Sequence, residues 1–276
     1  MSAFYNASMQ STVTTALSSR WLDAGGVRVH ALVREGPRPV VFVHGLSASS
    51  AYFADAADRP ELEGRGIIAV DLPGFGATAA PDGFGYSMRE QANVLAALID
   101  SAGIDDVTLV GHSMGGTVSL IATDALSEKV SSLVLAEAIL VFDETLWSER
   151  ISAVSLDDWR EEYDYICRRP EIYARGSLLR RRKEAVERIT PCIAQTSAEA
   201  MHASATDLQA VTRDPALYER FLTMRPSPVY VFGELHDTTR FCRMVRADGA
   251  RVAVIPRAGH LMMLDNPDGF YAVVAE

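Results

Sequence analysis

Seven short runs of apolar, mostly β-branched residues recur along this chain, each ending in a turn signal: VRVHALV (27–33), PVVFVHG (39–45), GIIAVDLPG (66–74), VTLVGHS (107–113), SSLVLAEA (131–138), PVYVFGE (228–234) and RVAVIPRAGH (251–260). The central runs are apolar at successive positions, not alternate ones. A strand buried on both faces reads that way, and both faces of a sheet are buried only when helices cover them. Helix-like stretches lie between the runs, SMREQANVLAALIDSAG (87–103) and GGTVSLIATDALSE (115–128). This alternation predicts an α/β fold with a mostly parallel central sheet flanked by helices.

The alternation fails once. From about Phe142 to Arg225 the chain offers no convincing strand; it is charged and helix-prone, with Trp147, Trp159, Tyr163, Tyr165 and Tyr173 scattered through it. Within it RGSLLRRRKEAVER (175–188) reads as a solvated helical face. We expect a helical cap over 142–225, inserted into a core made of 1–141 and 226–276. A chain of 276 residues is long enough for one large domain with such an insert.

Composition narrows the function classes. Hydrophobic residues make up 48% and charged residues 22%, the balance of a globular chain with a sizeable core. A formal charge of −10 argues against nucleic-acid and anionic-membrane partners, which favour basic surfaces. Cys167, Cys192 and Cys242 are widely spaced, with no CxxC pair, and read as free thiols of a reducing compartment. The opening MSAFYNASMQSTVTTALSSR lacks the basic start and apolar block of a signal peptide, and no stretch is apolar for the eighteen or so residues of a membrane span. The expectation is a cytoplasmic protein, with roughly the first fifteen residues loosely ordered. A homodimer is left open.

The chemistry lies in Gly111-His112-Ser113-Met114-Gly115, which fits G-x-S-x-G. A serine at the apex of a sharp strand-to-helix turn needs small neighbours, because flanking side chains would clash. The strand signal before it and the helix signal after it are the context this motif requires.

Together with VVFVHGLSASS, AVDLPGFGAT and IPRAGHLMMLDNPDGF, which follow in the same order, this motif resembles the α/β-hydrolase superfamily from about Val27 to the C-terminus. The resemblance implies Ser113 as nucleophile and His260, in AGHLMML, as its base. It also implies an oxyanion hole made by the backbone N–H groups of Met114 and of Leu46, after His44-Gly45. His30 and His202 read as structural, His112 as a packing residue beside the elbow, and His44 as shaping the oxyanion loop. DLPGFG (71–76) lacks the full G-x-G-x-x-G of a phosphate loop and is expected to line the site entrance.

The acid has two candidates. In most of the superfamily it lies three residues beyond a glycine after the penultimate core strand; here Gly233-Glu234-Leu235-His236-Asp237 puts a histidine in that slot and Asp237 one residue late. Glu137, at the end of SSLVLAEAIL, occupies the place used by haloalkane dehalogenases and by serine lactonases resembling zearalenone hydrolases. Glu137 is the first candidate and Asp237 the alternative.

A serine nucleophile disfavours dehalogenase and epoxide-hydrolase chemistry, which uses aspartate there. The resemblance therefore implies cleavage of an ester or lactone through an acyl-enzyme, with no metal and no organic cofactor. Hydrolysis of a carbon–carbon bond, acyl transfer, and a slow-turnover ligand receptor are the rivals. The cap aromatics and Met262-Met263 fit either an apolar small-molecule substrate or plain packing.

Overall fold

The computed structural model describes residues 16–179 and 183–276. The expectation for the first fifteen residues falls outside them. Eight strands form one sheet: β1 (Ser18–Ala24), β2 (Val27–Arg34), β3 (Val40–Val43), β4 (Ile67–Val70), β5 (Val107–His112), β6 (Val130–Ala136), β7 (Val229–Gly233) and β8 (Arg251–Ile255). Their order is β1-β2-β4-β3-β5-β6-β7-β8. β2 runs against both of its neighbours, and every other adjacent pair is parallel. Every residue of β3, β4 and β5 is buried, so both faces of the sheet's centre are covered. β1 escapes the sequence reading because SSRWLDA is largely polar. It is an edge strand, half in solvent, that among the described residues pairs only with β2.

Helix α1 (Met88–Ser101) starts with a capping box: Glu90 N–H donates to Ser87 Oγ at 3.2 Å, and Ser87 N–H returns a bond to Glu90 Oε2 at 3.1 Å. Helix α2 (Met114–Leu126) is nearly all buried, as its apolar sequence demands, and packs on α1 and β5.

Between β6 and β7 the described chain is helical: α3 (Leu146–Ser152), α4 (Leu156–Cys167), α5 (Pro170–Ser177), α6 (Lys183–Ala194), α7 (Ala198–Thr212) and α8 (Pro215–Thr223). Trp159 is fully buried here, edge-on to Trp147 and stacked on Tyr163. Polar bonds pin these helices down. Asp207 of α7 accepts the Met88 N–H at the start of α1 (2.6 Å), and Arg220 of α8 pairs with Asp124 and Thr123 of α2. The stretch 175–188 is not one solvated helix. α5 ends at Ser177 and α6 begins at Lys183, with Leu178, Ala185 and Val186 buried in the helical packing.

The chain closes with α9 (Arg240–Ala247), α10 (Met262–Asp265) and α11 (Pro267–Ala275). Phe270 and Tyr271 of α11 join Phe42 and Phe53 in an aromatic core cluster. Asp71, after β4, gathers the loops beside it, accepting N–H groups from Ser50 (2.6 Å) and Ala77 (2.9 Å). His30 bridges Asp71 (2.7 Å) and Ser19 (2.8 Å), which satisfies both ring nitrogens and agrees with its structural reading.

Candidate active site

β5 ends at His112 and α2 begins at Met114, so Ser113 is the whole turn. It sits at φ 54° and ψ −124°, a conformation that costs a non-glycine residue about 1–3 kcal/mol. The surroundings impose it: Ser113 N–H donates to Ala136 O of β6, and Ser113 O accepts from Gly116, both at 2.9 Å. The glycines answer to close approach. A Cβ at Gly111 would lie 2.5 Å from Gly115 O, and one at Gly115 would lie 2.3 Å from His44 O.

Glu137 directly follows β6, also at positive φ (42°), which turns its side chain toward the loops after β7 and β8. Its Oε2 lies 2.7 Å from His260 Nδ1. Its Oε1 accepts the Gly233 N–H at 2.9 Å and lies 2.8 Å from His236 Nδ1. Burial alone would raise this carboxyl's pKa, but bonds from His236 and His260 hold it well below the usual carboxylate range. Asp237 is placed elsewhere. It pairs with Arg246, and among the described residues no bond joins it to His260.

Ser113 and His260 line one cavity of about 590 Å³. Among the described residues, no hydrogen bond joins the Ser113 hydroxyl to the His260 ring; such contacts are often long before substrate binds. Met114, as the first residue of α2, has no partner for its N–H within the helix. Leu46 lines the cavity, and its N–H has no backbone partner among the described residues. It follows Gly45, where a Cβ would meet Ser113 Cβ at 2.9 Å.

Two other histidines are buried close to Ser113. His44 is fully buried, with Nδ1 on Gly45 O (2.8 Å) and Nε2 accepting the Leu72 N–H (3.1 Å), and burial lowers its pKa. His112 Nε2 donates to the His260 backbone carbonyl at 2.9 Å, and burial pulls its pKa down to about 3. It is neutral and holds the loop that carries His260. His202, on Val154 O at 2.9 Å, is structural as well.

Apolar groups dominate the cavity wall, including Leu46, Trp147, Tyr173, Phe232 and Leu261. Met262 and Met263 are fully buried and do not line it, so for them the packing reading is the right one. The turn at 71–76 does not line it either; Gly74 O instead accepts the Ser197 N–H before α7. Among the described lining residues are two carboxylates, Glu137 and Glu144, and no lysine or arginine. Burial and the Glu137 charge raise the Glu144 pKa. The sequence reading did not single out Glu144 or give His236 a role. The one signal for His236 was its place in the slot that an acid normally fills.

Among the described residues no group of three or more His, Cys, Asp or Glu side chains is placed to hold a metal ion. Among the described residues no helix is long and apolar enough to cross a membrane.

Known proteins resemble this chain along most of its length. Over 278 aligned positions the chain is 27% identical to a 2-hydroxy-6-oxo-2,4-heptadienoate hydrolase of Pseudomonas putida, covering 95% of this chain and 97% of that one. An esterase from Exiguobacterium antarcticum superposes with a TM-score of 0.76 at 22% identity, over 93% of this chain and 98% of the esterase. An N-acyl homoserine lactonase superposes with a TM-score of 0.73 at 20% identity, over 94% of this chain and 95% of the lactonase. At those identities the two structures speak for the fold. Residues 40–273 match the alpha/beta hydrolase family, and the chain belongs to it.

Proposed function

We propose that the protein is a serine hydrolase that cleaves an uncharged carboxylic ester or lactone through an acyl-enzyme. The observation that carries this reading is the 2.7 Å bond from His260 Nδ1 to Glu137, behind a ring that shares a cavity with the strained Ser113. Glu137 fixes the tautomer that leaves His260 Nε2 as the base. Nε2 takes the Ser113 proton as Oγ adds to the acyl carbon. The N–H groups of Leu46 and Met114 receive the oxyanion, each worth about 2.7–4 kcal/mol of transition-state stabilisation. His260 then returns the proton to the leaving oxygen. Water, activated by the same nitrogen, displaces the acyl group from Ser113 and releases the acid. In a lactone the leaving oxygen stays attached, and the product is one hydroxy acid.

The helical stretch 142–225 acts as a lid in this reading, because Trp147, Tyr173 and Leu208 complete the cavity wall. The full-length likeness to the Pseudomonas hydrolase favours carbon–carbon bond hydrolysis as the second reading. That relative's named substrate is a carboxylate, however, whereas the described wall here carries acids and no arginine or lysine. An uncharged substrate fits better.

A panel of esters, lactones and dienoates, assayed alongside fluorophosphonate labelling, tests the proposal. Ser113→Ala should lose turnover and labelling while staying folded; full labelling of that variant would place the nucleophile elsewhere. Glu137→Gln should cost several orders of magnitude in kcat, as in serine proteases, where the equivalent loss is about 10⁴. Asp237→Asn should change the rate by less than about tenfold, since its partner is Arg246. A reversed ranking would transfer the acid's role to Asp237.

A further inference from the structure

The carboxylate of Glu137 is shared by two histidines. His260 holds Oε2, while His236 and the Gly233 N–H hold Oε1. A carboxylate only accepts hydrogen bonds, so both rings carry their proton on Nδ1 and keep Nε2 free in the neutral form. Both rings line the cavity, and neither Nε2 has a partner among the described residues. Their side chains are equally exposed, 40% for His236 and 41% for His260. The site thus contains a second imidazole in the same relation to the acid as the base itself.

Resting on the serine-hydrolase reading above, we propose that His236 is a positioning residue for the acid. It clamps one oxygen of Glu137 so that the other is reserved for His260, and the proton it takes up in acid keeps His260 free to act as base at lower pH.

The clamp follows from geometry. A carboxylate held at one oxygen can swivel about its terminal torsion; three bonds on two oxygens fix its plane, and with it the His260 ring. The electrostatic part follows from sharing one anion. The charged groups acting on His236 are Glu137, at the end of β6, and Glu144, ahead of α3, with His260 across the shared carboxylate. Its neighbours on the loop are engaged elsewhere: Asp237 with Arg246, and Glu234 with the Arg257 N–H. The Glu137 bond, partly opposed by burial, raises the His236 pKa, so His236 takes up a proton more readily than a free imidazole. The His236–Glu137 pair is then neutral overall, and His260 loses the anion that would have made it easier to protonate.

The test is the pH dependence of kcat/KM on an uncharged ester for wild type, His236→Asn and His236→Phe, with melting temperature and Ser113 labelling measured in parallel. Asparagine can keep a neutral N–H on Oε1. It should hold the plateau rate within about threefold while the acid limb moves up by about half a pH unit or more, a further loss of about threefold at any pH on the limb. Phenylalanine should show the same limb shift and lose about tenfold or more of the plateau, because Oε1 keeps only the Gly233 donor. An acid limb that stays in place in a folded, labelled His236→Asn variant would overturn the inference. So would a plateau loss without a limb shift, which is what a merely structural histidine gives. If His236→Phe does not fold, the asparagine variant decides alone. Retained activity in Glu137→Gln would instead bring down the triad reading on which the inference stands.

Discussion

At Gly45 the backbone runs so close to Ser113 that an added Cβ would sit 2.9 Å from its Cβ and 3.2 Å from His112 Nδ1. Nothing there can yield cheaply: Ser113 is held in its strained turn, and His112 is buried against the loop that carries His260. Gly45→Ala should therefore displace either Ser113 or the Leu46 N–H by a few tenths of an ångström. Misplacements approaching 1 Å can cost about 10² in rate, so we expect a kcat loss of roughly ten- to a hundredfold with a small change in melting temperature. Steady-state kinetics beside thermal melting checks this; an unaffected kcat would mean that the oxyanion loop adapts. Much at this scale could be read from sequence. Ser113 and His260 stood out because their motifs are local. Which carboxylate meets His260 did not, because two lay at plausible places and the outcome depends on backbone torsion. Glu137 reaches His260 from a positive-φ position, while the turn after β7 directs Asp237 to Arg246. His236 was visible only as a mismatch.

Among the elements, the buried strands were legible because β-branched residues fill both of their faces, and α1 announced itself through Ser87 and Glu90. Strand β1 was not, since half-exposed edge strands carry polar residues that mask the pattern. The break between α5 and α6 was missed for a related reason: a dense run of arginines hid the buried Leu178, Ala185 and Val186 from a reading based on charge. One tertiary bond between elements has a measurable weight. Asp207 of α7 places a carboxylate on the N-terminus of α1, 2.6 Å from the Met88 N–H. That satisfies an orphan donor and complements the helix dipole. Asp207→Ala should lower the unfolding free energy by about 1–2 kcal/mol, and Asp207→Asn by less, in urea titrations followed by circular dichroism. An unchanged midpoint for the alanine variant would mean that water replaces the bond at no cost.

For the molecule as a whole, a net charge of −10 surrounds a cavity whose described wall includes Glu137 and Glu144. Both act against an anionic substrate. An ester bearing a carboxylate should show a kcat/KM at least about tenfold below its neutral analogue, with the gap narrowing as salt is raised from about 0.01 M to 0.5 M. Because burial and Glu137 raise the Glu144 pKa, its charge appears later than in a free glutamate, so discrimination should grow as pH rises through the weakly acidic range. Glu144→Gln should flatten that growth. Equal rates for the two esters at low salt would refute the electrostatic filter.

Ser113 and Glu137 are 24 residues apart, at either end of the single unit made by α2 and β6, and both come before the helical stretch begins. That order makes the helices exchangeable parts. In the proposed triad an acid carried after β7 would depend on where the inserted chain rejoins the sheet; with Glu137 as the acid, only His260 does. Evolution, or an engineer, can graft a different set of helices between β6 and β7 without resetting the spacing of Ser113 and Glu137. Chimaeras built at those two junctions should change which substrates are accepted while keeping the reaction of Ser113 with a small phosphonate. A graft that folds yet loses that reaction would show that the lid holds the machinery together as well as selecting what reaches it.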